Sequence, residues 1–105
     1  MEVIKMHEME GKANKRGVLA KQLIKHEHVQ VMNLNLKSGD TVPEHSVPVD
    51  VFFYVVAGKG TIKIGEEESV VERDDIVVCP RETTMALRAD QNESFSVLNV
   101  KTPSL

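Results

Sequence analysis

The run GDTVPEHSVPVDVFFYVVAG, residues 39–58, decides how this chain folds. Its second half, Val49 to Ala57, is built from valines and aromatics with Asp50 as the one charge, and a glycine closes it at 58. Such side chains suit a pleated, half-buried surface. Residues 45, 47, 51, 53 and 55 share one parity and so face one side of a regular strand, while Phe52, Tyr54 and Val56 face the other. A strand that is apolar on both faces needs both of them covered. The odd-numbered residues are expected to fill an interior, and Phe52, Tyr54 and Val56 to meet a packed second layer or another subunit. The pattern therefore predicts a homodimer through that face, with cover by the chain's own amino-terminal segment as the alternative.

Outward from this stretch, apolar residues come in short valine- and isoleucine-rich runs separated by glycine, proline and charged clusters. On the amino-terminal side, Val18 to Lys25 reads as a strand, and His26-Glu27-His28 as the hairpin connection into Val29 to Leu36. There Met32, Leu34 and Leu36 alternate with Val31, Asn33 and Asn35, the period of a half-buried sheet. Lys37 to Asp40 is a turn, and Thr41 to Val47, with Pro43, is extended but irregular. On the carboxyl-terminal side, Gly58-Lys59-Gly60 reads as a turn before Thr61 to Ile64. Gly65 and three glutamates then form a hairpin tip, with Ser69 to Val71 returning. Asp74-Asp75 turns into a buried strand, Ile76 to Cys79, and Pro80 to Thr83 turns again. Met85 to Ala89 and Phe95 to Val100 complete the set around a polar loop, Asp90 to Glu93. In the first 16 residues, Val3 and Ile4 read as a short edge strand and Gly11 to Arg16 as a polar loop. Roughly seven to ten antiparallel strands with little helix make an all-β sandwich or barrel. An immunoglobulin-like sandwich would carry tryptophan and paired cysteines, but this chain has no tryptophan and one cysteine.

A length of 105 residues predicts a single domain over 1–105 with one modest core. Thirteen basic against 16 acidic residues give a net charge near −3, and no basic stripe is long enough to follow a phosphate backbone. Nucleic acid is not an expected partner; Lys12, Lys15 and Arg16 lie near Glu8 and Glu10 and read as a solvated loop. The single Cys79 builds no disulfide framework, and the charges in Met1 to Glu10 interrupt any signal-peptide core. The longest apolar run, Val51 to Ala57, is far short of a spanning helix. These features predict a soluble, cytoplasmic protein with no membrane partner.

Gly39, His45 and Gly58 stand in a frame that resembles the first sequence motif of the cupin family. In that motif a glycine is followed after five residues by His-x-His, then by Glu, then by a closing glycine. The positions of the second histidine and the glutamate are here Val47 and Val51. Of the second motif, Pro80 is present, while Asp74, Glu82, Met85 and Ala89 take the places of glycine, glycine, histidine and asparagine. The resemblance implies a small single-domain cupin: a double-stranded β-helix, or jelly-roll barrel, of antiparallel strands. Small cupins commonly pair through a sheet face, so the resemblance also implies a homodimer. The motifs that carry metal ligands in the family are degenerate in this chain.

A catalytic site for Fe, Mn, Zn or Ni draws together three or four N, O or S donors. Val47 and Val51 offer no lone pairs, and Met85 only a soft thioether. Asp50 neighbours Val51 but has the opposite parity, so a regular strand points it to the other face. His45 is either a hydrogen-bonded structural residue at a proline-flanked strand entrance or the polar handle at a barrel mouth. His26 and His28 read as solvated hairpin residues, and His7 carries no argument. Cys79 behaves as a small buried hydrophobe, and no serine has a nucleophile-elbow setting. The expected function is therefore a barrel without metal or other cofactor that binds a small molecule, or serves as an accessory module, and catalyses no reaction. Its pocket is lined by His45, Val47, Val51, Phe53 and Met85, a mostly apolar wall suited to an apolar or aromatic ligand. A metal-dependent dioxygenase, isomerase or decarboxylase with unconventional ligands is the enzymatic alternative, and a dimerising scaffold or sensor the third.

Overall fold

The computed structural model of the protein describes residues 1–15 and 17–105. Among these described residues nine strands follow one another: β1 (Lys12–Ala13), β2 (Leu19–Lys25), β3 (Gln30–Leu36), β4 (Thr41–His45), β5 (Asp50–Ile64), β6 (Glu67–Glu72), β7 (Ile76–Cys79), β8 (Met85–Ala89) and β9 (Phe95–Thr102). All pair antiparallel. The element that organises them is β5, whose 15 residues include the glycines where a turn was expected. The chain bends there but does not reverse. At Gly58 the backbone has φ +80°, and a Cβ would sit 1.9 Å from the Ser94 carbonyl oxygen. At Gly60 a Cβ would meet the Phe95 ring at 2.4 Å. The two glycines thus let β9 cross a bulge between Val55 and Ala57 at backbone contact distance.

Because β5 passes through this corner, its two halves belong to two arms of one curled sheet. Its first half pairs with β9 and β7, and its second half with β8 and β6. β3, β2 and β1 extend the first arm beyond β9, and β4 extends the second beyond β8. This all-β, antiparallel, curled arrangement is that of the expected double-stranded β-helix. Between the arms lies one core, in which Val51, Phe53 and Val55 of the first meet Ile62, Met85 and Leu87 of the second. Val51, Phe53 and Val55 fill the interior, as their parity predicted, while beyond the bulge Ala57 and Lys59 are exposed and Ile62 takes the interior place.

Several expectations are corrected. Val3 and Ile4 form no strand; a 3-10 turn follows at Met6–Glu8, and its Met6 carbonyl accepts a hydrogen bond from Lys21 Nζ at 3.1 Å. Lys12–Ala13 is paired with Leu19–Ala20 and not looped, because Asn14 takes Val18 N–H on its Oδ1 (3.1 Å) and closes a tight reversal. Arg16 lies outside the described residues. Strand β3 is buried on both faces, since Asn33, 2% exposed, donates to Ser96 Oγ and the Val97 carbonyl at 3.0 and 3.1 Å. Strand β7 has the expected bounds but is an edge, so Ile76 and Val78 are 62% and 68% exposed and only Cys79 is buried. No helix among the described residues is long and apolar enough to cross a membrane.

Candidate functional site

The first-motif frame runs the length of β4, from the turn at Gly39 beside Ala89 to His45 beside Met85, and on through β5 to Gly58 at the corner. Gly39 sits at φ +82° in the turn into β4, where Asp40 N–H bonds the Lys37 carbonyl at 2.8 Å. Along β4 a bulge falls between Val42 and His45, setting Pro43 and Glu44 against Ala86 and placing His45 opposite Met85. His45 is nevertheless exposed, and its Nδ1 lies 3.0 Å from the carbonyl of Pro43, two residues back on its own strand. Val47 follows, half-buried against the core, with its carbonyl accepting from Glu82 N–H at 2.8 Å. Val51, Phe53 and Met85 are fully inside, 3%, 0% and 1% exposed.

The five residues singled out in the sequence are thus split: three form packed interior floor, and Val47 and His45 lie progressively nearer solvent. As a metal centre this set does not fit. One imidazole turned to its own backbone, two valines and a thioether supply too few hard donors. Among the described residues, no three His, Cys, Asp or Glu side chains gather as a metal ion needs. Asp50 is exposed and turned away from the interior. Its carboxylate accepts from Arg81 N–H at 3.2 Å and from Arg81 Nη2 at 3.4 Å, which holds its pKa below the usual carboxylate value.

Two polar residues share the interior face without having been anticipated. Phe95, Val97, Asn99 and Lys101 alternate along β9 toward the core, opposite Gly58, Val55, Phe53 and Val51. Asn99 is 6% exposed, and its Oδ1 is fully buried with no hydrogen-bond partner among the described residues. Lys101, half-buried, makes no ion pair among the described residues; burial first, then the Lys25 ammonium, pushes its pKa below the ordinary lysine value. The parity of β9 carried this signal, but a strand read only as far as Val100 omits Lys101.

On the outer face, Phe52 is 38% exposed, and Tyr54 and Val56 are half-buried. Tyr54 donates its hydroxyl to Asp74 Oδ1 at 2.6 Å, and this bond, ahead of the carboxylate's charge, raises the phenol's pKa. Ile76 and Val78 extend the same face, with Val78 beside Phe52 and Ile76 beside Tyr54. A surface cleft of ≈ 450 Å³ there includes Phe52, Ile76, Val78 and Thr102. A larger one of ≈ 570 Å³ lies between β6 and β7, with Ile62, Ile64 and Val77 beneath a rim that includes Glu66, Glu67 and Glu68. Elsewhere, His26 and His28 are exposed in their hairpin, ring centroids 6.4 Å apart, and His7 is exposed. Cys79 is 1% exposed, and burial raises its pKa.

Residues 32–101 match the family model described as a cupin domain. This chain belongs to the cupin family. The cupin's fold recurs in solved structures of low identity. KdgF from Halomonas sp. superposes with a TM-score of 0.91 at 18% identity, covering 100% of this chain and 96% of that one. A predicted oxalate decarboxylase from Thermotoga maritima gives 0.87 at 17%, covering 97% and 99%. The polyketide cyclase RemF from Streptomyces resistomycificus gives 0.87 at 12%, covering 97% and 79%. No curated protein matches the sequence.

Proposed function

We propose that this cupin binds a small molecule at the loop end of its interior without a metal ion, and that it catalyses no reaction of its own. The observation carrying this reading is the residue set at the first- and second-motif positions: Val47, Val51 and Met85 stand where lone-pair donors are needed. What they leave is an apolar floor of Val51, Phe53 and Met85, with Val47 above it and His45 at the rim. Such a wall favours an apolar or aromatic body over a phosphosugar. The deciding experiment is metal analysis of protein purified without chelators, repeated on His45→Ala. Near-stoichiometric metal in the native chain that the variant loses would defeat the reading. A catalytic reading draws support from the similarity to a polyketide cyclase and to a predicted oxalate decarboxylase, and such metal analysis would favour it.

The same proposal includes a homodimer through the outer face of the first arm, centred on Phe52, Tyr54 and Val56. Exposed Phe52, Ile76 and Val78 form a contiguous apolar surface there, which favours burial against a second copy. Sedimentation at micromolar concentration checks it: a single species near the 11.7 kDa chain mass would remove the dimer.

A further inference from the structure

Strands β6 and β7 leave a common turn but join different arms of the sheet. The turn is anchored at Val55, whose carbonyl accepts Asp74 N–H and whose N–H donates to the Asp75 carbonyl, both at 2.9 Å. From there β6 pairs with β5 beyond the corner and β7 with β5 before it. Neither pairs with any other strand among the described residues, so no ladder joins their facing edges. The ≈ 570 Å³ cleft occupies that gap, and its volume is that of a small-molecule site. Ile62 lies buried at its base, with Ile64 and Val77 half-buried above. Alternation along β6 puts Glu67, Ser69 and Val71 on one face, opposite Ile64, Ile62 and Gly60, and Val71 is buried. Glu67 and Ser69 therefore stand over the apolar base. Glu68 has the opposite parity and pairs with Arg88 at 2.7 Å, while Lys63 beside it pairs with Glu44 at 2.6 Å. Glu66 and Glu67 make no ion pair among the described residues, and no Lys, Arg or His lines the cleft.

We infer that this cleft is a binding site for a small organic ammonium ion with an apolar or aromatic body. The body lies on Ile64 and Val77, and the ammonium donates to the Glu67 carboxylate. Ser69 Oγ already donates to the Val70 carbonyl at 3.3 Å, so it meets the ligand as an acceptor for a second N–H. An anionic ligand would instead face Glu66 and Glu67 with no cation to offset them. The inference goes beyond the small-molecule reading above, since none of Val51, Phe53 and Met85 lines this cleft. Both carboxylates are exposed, so they select among ligands by charge while the apolar base supplies most of the affinity.

Three probes of one shape and different charge test this on the full chain by amide NMR titration: 2-phenylethylammonium, 2-phenylethanol and 3-phenylpropionate. The ammonium is expected to bind at least about threefold more tightly than the alcohol, and the carboxylate more weakly than either. Its shifts should fall on residues 64–69 and 77. Glu67→Gln should erase the advantage over the alcohol, and sodium chloride at about 0.5 M should shrink it. Ser69→Trp, an exposed position on the cleft side, should fill the gap and weaken all three probes. The spectra of both variants establish that they fold. Equal affinity for ammonium and alcohol with no effect of Glu67→Gln would overturn the inference, and so would no binding of the ammonium. Shifts confined to residues 45–53 and 85 would overturn it too, while favouring the interior floor as the place where a small molecule sits.

Discussion

Gly58→Ala should destabilise this protein far more than Gly39→Ala, although the two glycines have nearly the same backbone conformation. Their φ values are +80° and +82°, so each substitution pays the same left-handed penalty, about 1–2 kcal/mol. The surroundings differ. A Cβ at Gly39 has nothing within 4 Å, whereas at Gly58 it would lie 1.9 Å from the Ser94 carbonyl oxygen and 2.7 Å from its carbon. Real Cβ contacts stay beyond 3.0 Å, so that carbonyl must retreat by at least about 1.1 Å (3.0 − 1.9). It is backbone, not a flexible side-chain tip, and it accepts Lys59 N–H at 3.1 Å beside the Gly58–Phe95 pair. Losing that bond adds about 1 kcal/mol, and disturbing the register beside it about as much again, for a total of roughly 3–4 kcal/mol. At about 4–8 °C per kcal/mol for a domain of this size, that lowers the melting temperature by about 12–32 °C, against about 4–16 °C for Gly39→Ala. Urea and thermal unfolding of both variants, followed by circular dichroism, measure the difference. Equal destabilisation within about 0.5 kcal/mol would refute the account of the corner.

Three further outcomes follow from the interior. Lys101→Met should be more stable than the native chain at neutral pH, by about 0.5–1 kcal/mol, because an apolar side chain at this half-buried position has no charge to desolvate. Burial lowers the folded-state pKa of Lys101 below 10.5, so its charged form is penalised only in the folded protein, and that penalty disappears as pH rises from the folded value toward 10.5. The gap between variant and native should therefore narrow over that alkaline range in pH-dependent urea melts; a gap constant with pH counts against a buried ammonium. Met85→Ala removes most of a side chain that is 1% exposed and should cost about 2–5 kcal/mol, read from the same melts. A loss below about 1 kcal/mol would mean that the floor is loosely packed. Cys79, 1% exposed and with its thiol pKa raised by burial, should react with an aromatic disulfide at least about 10²-fold more slowly in native protein than in urea. Equal rates would show that this end of the first arm opens readily.

Much of this architecture can be read from periodicity and turn chemistry. The alternation of Val51, Phe53 and Val55 fixed which face of β5 is interior, and the turns at Lys37–Asp40 and Asp74–Asp75 fall where their residues predict. Failures share a cause: each depends on what another strand does at a distance. Gly58 and Gly60 look like turn residues because nothing local shows that β9 crosses there. Ile76-Val77-Val78-Cys79 looks buried because four apolar residues carry no sign of lying at a sheet edge. Asn33 reads as a solvent-facing member of an alternating strand until pairing brings Ser96 of β9 beside it, closing a hydrogen-bonded set with Asn35 on its own strand. In the site, sequence placed His45, Val47, Val51, Phe53 and Met85 near one end but could not grade their depth. Asn99 and Lys101 were passed over because a polar residue becomes unusual only once its face is known to be interior.

The passage of β5 through both arms also sets how the molecule can open. A sandwich made of separate sheets can breathe by letting one slide or tilt against the other. Here a single covalent strand is stitched to β9 and β7 before the corner and to β8 and β6 after it. Prising the arms apart would break several ladders together, so that motion belongs to global unfolding, not to the fluctuations of the native state. A route into the interior that spares the ladders runs end-on, past the connections at residues 46–49 and 80–84, which the Glu82 N–H to Val47 carbonyl bond of 2.8 Å ties together. If the proposed small-molecule binding holds, that bond between the two connections is the first a guest would have to break, and its opening would set the exchange rate.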